Sequence, residues 1–274
     1  LVQLRDASFD YGARDVFSGA SLEIEKGEKA AIVGANGAGK TTLLRVLAGQ
    51  LDPRRGEREI HPQAKIGYFA QHAAETLDGK LTILEAVEEV APDDSRPRLR
   101  SLLGNFLFTG DDAFKRCRIL SGGERQRVAI TRLLLDPANV ILMDEPTHHL
   151  DLAGKEVLEE ALMQYPGAVV VVTHDRSLMA RLATRILAVE GGRVIPYPGG
   201  YDDYEAARVA KEEALRAAAA KGTAGKGATA ADRAASKKAD AHPTRGGAGA
   251  GRAAPSKAAQ KQREKEEQRL LDHA

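Results

Sequence analysis

Apolar and polar residues alternate over residues 2–11, and short apolar runs follow at 21–24 and 29–33, the periodicity of strands. A glycine-rich stretch at 34–39 separates the third run from residues 41–48, where leucine, valine and alanine return at helical spacing. The unit spelled out is strand, loop, helix. Residues 65–70 read as another short strand, and 82–90 and 98–106 repeat Leu, Ile and Val at helical spacing within a helical insertion expected at about 76–120. A helix opening at Ser121-Gly122-Gly123 continues through 128–135, then 140–143 is a buried strand and 156–162 an amphipathic helix. Residues 168–173 form the next strand, 177–185 a helix, and 186–189 with 194–197 a closing strand pair. Strands alternating with helices predict a largely parallel α/β core.

Beyond residue 200 the pattern changes. Alanine and charge content over 201–220 suggests one exposed helix, with 205–220 standing beyond the domain. Residues 221–256 are mostly Ala, Gly, Lys and Arg with almost no large apolar side chain, too little burial to offset ordering, so a disordered linker is expected. At 257–274 helical propensity returns with Leu270 and Leu271, the start of a possible helical or coiled-coil segment.

A chain of 274 residues can bury one substantial core, so residues 1–204 are expected to be one domain and the rest an appendage. No apolar run reaches the roughly 18 residues of a membrane span, which predicts a soluble chain without membrane insertion. The single cysteine, Cys117, excludes an internal disulfide and agrees with a reducing, cytoplasmic setting. The chain opens on Leu1 and already reads as a strand, with no leader-like segment, so it is expected to be part of something longer. Net charge is +1, but residues 211–274 hold 14 basic and 8 acidic side chains, which leaves the body acidic and the tail basic.

Chemistry concentrates at three places. Gly34-Ala35-Asn36-Gly37-Ala38-Gly39-Lys40-Thr41, followed by Thr42, fits the phosphate-loop pattern, with glycine at each end and Lys-Thr after it. Glycines let the backbone wrap closely, so that its N–H groups and the following helix start face phosphate oxygens. Lys40 adds a point charge on the β- and γ-phosphates of ATP, and the Thr41 hydroxyl can ligate Mg²⁺. The apolar run 140–143 ends in Asp144 and Glu145, which places both carboxylates at the edge of the sheet beside that loop. Asp144 would hold the Mg²⁺ shell, and Glu145 would orient or deprotonate the attacking water. An acid pair alone more often caps a strand in solvent; the phosphate loop reverses that reading.

The same edge logic carries His174 towards the γ-phosphate and Gln71 towards the metal or water, although either residue type at a strand end is often structural. Tyr11 could stack on adenine or simply pack in its strand. Ser121, Gly122, Gly123 and Glu124 open a helix whose hydroxyl and amides suit a γ-phosphate. Two phosphate-binding helix starts in one chain imply two bodies.

These motifs, in this order, resemble the ATP-binding cassette superfamily over residues 1–204. The resemblance implies a phosphate-loop NTPase core of the cassette type, with an N-terminal antiparallel β-subdomain, a helical insertion and, in this chain, a disordered basic tail. It also implies two cassettes packed head to tail, each ATP held between one phosphate loop and the other signature, here Ser121 to Glu124. By the same resemblance Gln71 is the Q-loop residue, Asp151 belongs to the D-loop and contributes to the nucleotide site, and His174 is the switch histidine.

Narrower features are similar to the ABC-F branch, the soluble translation-associated ATPases. Glu124 stands where transporter cassettes usually have Gln, and residues 106–112 look like the segment before the signature in a second ABC-F cassette. Residues 145–151, 173–176 and 197–204 are also similar to that branch. His148 departs from it, replacing the usual Asn beside the D-loop. The resemblance implies a C-terminal cassette with its tail, a second cassette as partner (the N-terminal half of the same protein, or a homodimer), and docking on the ribosome with its rRNA and tRNA. Residues 221–263 carry 10 basic and 2 acidic side chains, which would suit rRNA phosphates or equally a solubilising tail. The alternative is the ATPase subunit of a membrane transporter, built on the same core.

Overall fold

The computed structural model describes residues 1–12, 14–214 and 216. Its centre is a six-stranded sheet in the order β5 (Ile66–Phe69), β6 (Val140–Asp144), β7 (Ala168–Val172), β3 (Lys29–Gly34), β8 (Arg185–Glu190) and β9 (Arg193–Pro198). All neighbours are parallel except β8 and β9, which form the antiparallel closing pair. Strands β6 and β7 are buried throughout, as expected of parallel strands covered on both faces.

Because side chains alternate across a strand, each central strand feeds two cores. Ala30 and Ile32 of β3, with Leu142 of β6 and Val170 of β7, face one side. There they meet α1 (Lys40–Leu47) and a three-stranded antiparallel sheet of β2 (Asp15–Ile24), β1 (Val2–Asp10) and β4 (Arg55–Ile60). Ala31, Val33, Ile141, Met143, Val169 and Val171 face the other side. That core is covered by α2 (Ile83–Glu88), α3 (Arg96–Asn105), α4 (Gly122–Leu135), α5 (Leu152–Gln164) and α6 (Arg176–Leu182). The fold is therefore the α/β cassette architecture expected, with its antiparallel subdomain and helical insertion.

Three elements differ from the expectation. β2 begins at Asp15 rather than residue 21, because a bulge at Gly19 (φ 64°) spaces the buried Phe17 and Ala20 three apart and breaks the alternation. β4 was not expected at all: Arg-Gly-Glu-Arg-Glu-Ile shows no apolar alternation, and the strand forms by pairing with β1, in register from Val2↔Ile60 to Leu4↔Arg58. The helix expected over 201–220 does begin at residue 201, but its first turn is not exposed. Tyr201 and Tyr204 are buried, with Tyr204 edge-on to Tyr197 at 5.2 Å, and Lys211 pairs with Glu190 at 2.9 Å. The segments at 221–256 and 257–274 lie outside the described residues. No helix among the described residues is long and apolar enough to cross a membrane. Cys117 is buried, and burial pushes its thiol up, away from the reactive thiolate.

Candidate functional site

The loop after β3 reaches α1 through three left-handed glycines, Gly34 (φ 151°), Gly37 (φ 74°) and Gly39 (φ 105°). A Cβ on Gly34 would stand 2.6 Å from the Val189 carbonyl oxygen, and one on Gly39 2.3 Å from Val16 Cγ1. Both positions are thus fixed as glycine by backbone conformation and by space. Gly34→Ala is expected to lower stability by about 1–3 kcal/mol, read as a lower denaturant midpoint at unchanged slope. An unchanged midpoint would remove that steric reason.

Helices α2, α4, α5 and α6 are each capped by a side chain, from Thr82, Ser121, Asp151 and Asp175 respectively. Helix α1 has Gly39 at its N-cap, with no side-chain cap and no acidic residue in its first turn. Its first N–H groups, those of Lys40, Thr41 and Thr42 included, are left for an anion. Lys40 is itself buried, and its ammonium donates to the carbonyls of Gly34 (3.0 Å) and Ala35 (3.1 Å), which holds the charge over the loop. Tyr11 follows β1, largely exposed and edge-on to Phe9 at 5.1 Å, with its hydroxyl 3.5 Å from that of Thr42. Tyr11, Val16, Gly37 and Lys40 border a cavity of about 240 Å³, and Arg14, also on its wall, donates to the Gly37 carbonyl at 3.1 Å. Sequence reasoning missed Arg14, which belongs to no motif.

Parallel register brings the remaining groups to the same edge. Asp144 ends β6 beside Val172 of β7 and is 2 % exposed. Burial raises its carboxyl above the usual carboxylate value, against the pull of the Thr41 hydroxyl and of Lys40, Arg45 and His148. Glu145 is the next residue and has φ 49°, sparsely populated for a non-glycine. Its N–H donates to the Val172 carbonyl at 2.8 Å, while its carboxylate lies 3.5 Å from Nε2 of His174, two residues beyond β7. Gln71 is exposed in the turn two residues after β5, whose Phe69 is in register with Met143 of β6. The phosphate loop, Asp144, Glu145, His174 and Gln71 therefore all lie at one end of the sheet.

Ser121 and Glu124 behave differently. Ser121 caps α4 in a reciprocal box: its N–H and its hydroxyl both donate to Glu124 Oε2 at 2.7 Å, and the Glu124 N–H donates back to the hydroxyl at 3.3 Å. Those two Ser121 donors hold the Glu124 carboxyl below the usual range. Gly123 lies tight against the chain after Glu145, since a Cβ there would be 2.9 Å from the His149 carbonyl oxygen. No residue of Ser121 to Glu124 borders the cavity at Tyr11, nor the neighbouring one of about 280 Å³ between Gly34, His174 and Tyr204. Among the described residues, Ser121 to Glu124 thus line neither of the two cavities that the phosphate loop borders. Asp151 caps α5 through the Gly154 N–H at 2.9 Å and lies 3.6 Å from Arg127. The exposed His148 closes the intervening turn by a backbone bond to the Glu145 carbonyl at 3.2 Å, so the side chain that departs from the family pattern is not needed for this turn.

Thr41 and Asp144 offer hard oxygen donors side by side, a set suited to Mg²⁺. Among the described residues no group of three or more His, Cys, Asp or Glu gathers around a metal position.

Residues 17–148 match the family described as ABC transporter. The chain is 40% identical to the putative ATP-binding protein YdiF of Bacillus subtilis over 205 residues, which is 74% of this chain and 32% of that protein. It is 41% identical to the probable ATP-binding protein YbiT of Escherichia coli O157:H7 (72% of this chain, 37% of that protein). With ABC transporter F family member 5 of Arabidopsis thaliana the identity is 38%, over 74% of this chain and 30% of that protein. The chain thus spans about a third of the length of these relatives. The dimeric post-hydrolysis structure of the ATP-binding cassette MJ0796 bound to ADP and Pi superposes with a TM-score of 0.62 at 27% identity, covering 72% of this chain and 98% of that one. Fold, order of loops and relatives agree: the chain belongs to the ATP-binding cassette ATPases, in their ABC-F branch.

Proposed function

We propose that the chain is the ATP-binding and ATP-hydrolysing cassette of an ABC-F protein that acts in the cytoplasm on the ribosome, as a translation factor or a ribosome-protection factor. The observation that carries the catalytic part is the meeting of the phosphate loop with Asp144, Glu145 and His174 at one sheet edge, with Glu145 3.5 Å from His174. Loop amides from Gly34 to Thr42 and the Lys40 ammonium bind the β- and γ-phosphates, and the Tyr11 ring stacks on adenine. Thr41 and Asp144, with the Gln71 amide, would hold Mg²⁺. When bound, the ion neutralises charge developing between the β- and γ-phosphates.

Glu145 takes a proton from water as its oxygen bonds to the γ-phosphorus; the bond to the β–γ bridging oxygen breaks, and ADP and phosphate leave. His174 keeps the Glu145 carboxylate and the γ-phosphate in line. A second cassette supplies the other wall, its Ser121-type hydroxyl and helix start facing the γ-phosphate and its Asp151-type residue crossing the interface. A pair of cassettes is supported by the dimeric relative and by Ser121 to Glu124 lining neither of the two cavities that the phosphate loop borders.

Ribosome engagement rests on the ABC-F relatives and on Glu124, which occupies the place of a transporter Gln. In cosedimentation, the Glu145→Gln protein paired with its second cassette is expected to pellet with ribosomes severalfold more in ATP than in ADP. Equal pelleting in both would sink the ribosomal reading. Association with membranes instead would favour the transporter subunit.

A further inference from the structure

We propose that Gln126, on α4, is a positioning residue for Glu145, fixing the catalytic turn to the helix that begins at the signature segment. The inference rests on the reading of Glu145 as the base.

Gln126 is 2 % exposed, and its side-chain amide donates to the Pro146 carbonyl at 3.1 Å. Proline has no N–H, so that carbonyl is the one polar handle of the residue directly after Glu145. A buried polar side chain in an apolar helix face is costly unless it is hydrogen-bonded, so this bond holds both Gln126 and the Pro146 carbonyl in place. The bond falls where the backbone is least able to hold itself, since Glu145 has φ 49°. Upstream, the Glu145 N–H is tied to the Val172 carbonyl of β7. Downstream, the Glu145 carbonyl accepts from the His148 N–H. The Pro146 carbonyl would be loose between them without Gln126.

The turn is also joined to the histidine that faces it. The buried hydroxyls of Thr147 and Thr173 are 3.4 Å apart, and Thr173 Oγ1 accepts from the Asp175 N–H at 3.0 Å, which spans His174. On the other side, Gly123 lies against the His149 carbonyl and Arg127 lies 3.6 Å from Asp151. Gln126 is thus the buried one of three contacts by which α4 grips the turn carrying Glu145.

The test has two readouts. In the nucleotide-free chain, Gln126→Leu keeps the side-chain bulk and removes the donor. Amide hydrogen exchange at His148 and Leu150 is expected to speed up about tenfold, while Val128 in α4 is unchanged. In the two-cassette assembly the same variant is expected to lose about tenfold in kcat for ATP with KM within about twofold. Gln126→Asn, polar but too short to reach, is expected to do the same, and it stands in should the leucine variant fail to fold. Wild-type exchange at His148 and Leu150, wild-type kcat in a folded variant, or a change confined to KM would each overturn the proposal. Glu145→Gln is measured alongside: wild-type turnover there sinks the base assignment, whereas a dead Glu145→Gln beside a fully active Gln126→Leu sinks the positioning role alone.

Discussion

Glu145→Gln is expected to bind ATP with wild-type affinity, within about threefold, and to turn it over at least about a hundredfold more slowly, the usual scale for losing a general base. The substitution preserves shape, so the φ 49° turn and its bonds to Val172 and His148 remain. Affinity is left to the phosphate loop and Lys40, which the substitution does not touch. Hydrolysis loses the one carboxylate that is both at the sheet edge and turned towards His174. Asp144 does not substitute for it, because it is buried against Thr41 and Lys40 on the loop side. Equilibrium binding and steady-state turnover measured on one preparation decide the matter: wild-type turnover would remove Glu145 from the role of base, and lost binding would make it a structural residue.

The isolated chain is expected to hydrolyse ATP only in proportion to its self-association. Below the dissociation constant, specific activity should fall about tenfold for each tenfold dilution, because the active fraction follows mass action. The reason lies in the placement of the two phosphate-binding helix starts. The N–H groups of α1 are uncapped and open beside the cavity at Tyr11, whereas Ser121 is engaged by Glu124 and borders neither cavity at the loop. A second body must bring its signature to complete the site. Specific activity independent of concentration in a sample shown to be monomeric would refute the two-body site.

Most of the site's residues were legible in the sequence because they stand at the ends of strands that are apolar throughout. The runs 140–143, just before Asp144, and 168–172, two residues before His174, have strand length and nothing polar inside, and a parallel sheet carries such ends to one edge. Gln126 was missed although a signal existed. It lies in phase with Ala129, Ile130 and Leu133 on the buried stripe of α4, so a polar residue was due to be buried there. Glu124 was read for what distinguishes it from Gln, while its place three residues after Ser121 is also a capping box.

By itself the sequence determined the period of most buried elements, the phosphate loop and the order of the motifs, because these depend on neighbours along the chain. Hydrophobic alternation, glycine freedom and capping are local physics, legible in a few consecutive residues. Only the tertiary structure decided what depends on distant partners. Strand β4 exists through pairing with β1, Tyr201 and Tyr204 are buried against the body, and Gln126 reaches a carbonyl 20 residues away. It also decided that Ser121 to Glu124, at the start of α4, line neither of the two cavities bordered by the loop before α1. Hydrogen-bond partners and burial are set by which surfaces come together, and a linear pattern does not carry that information.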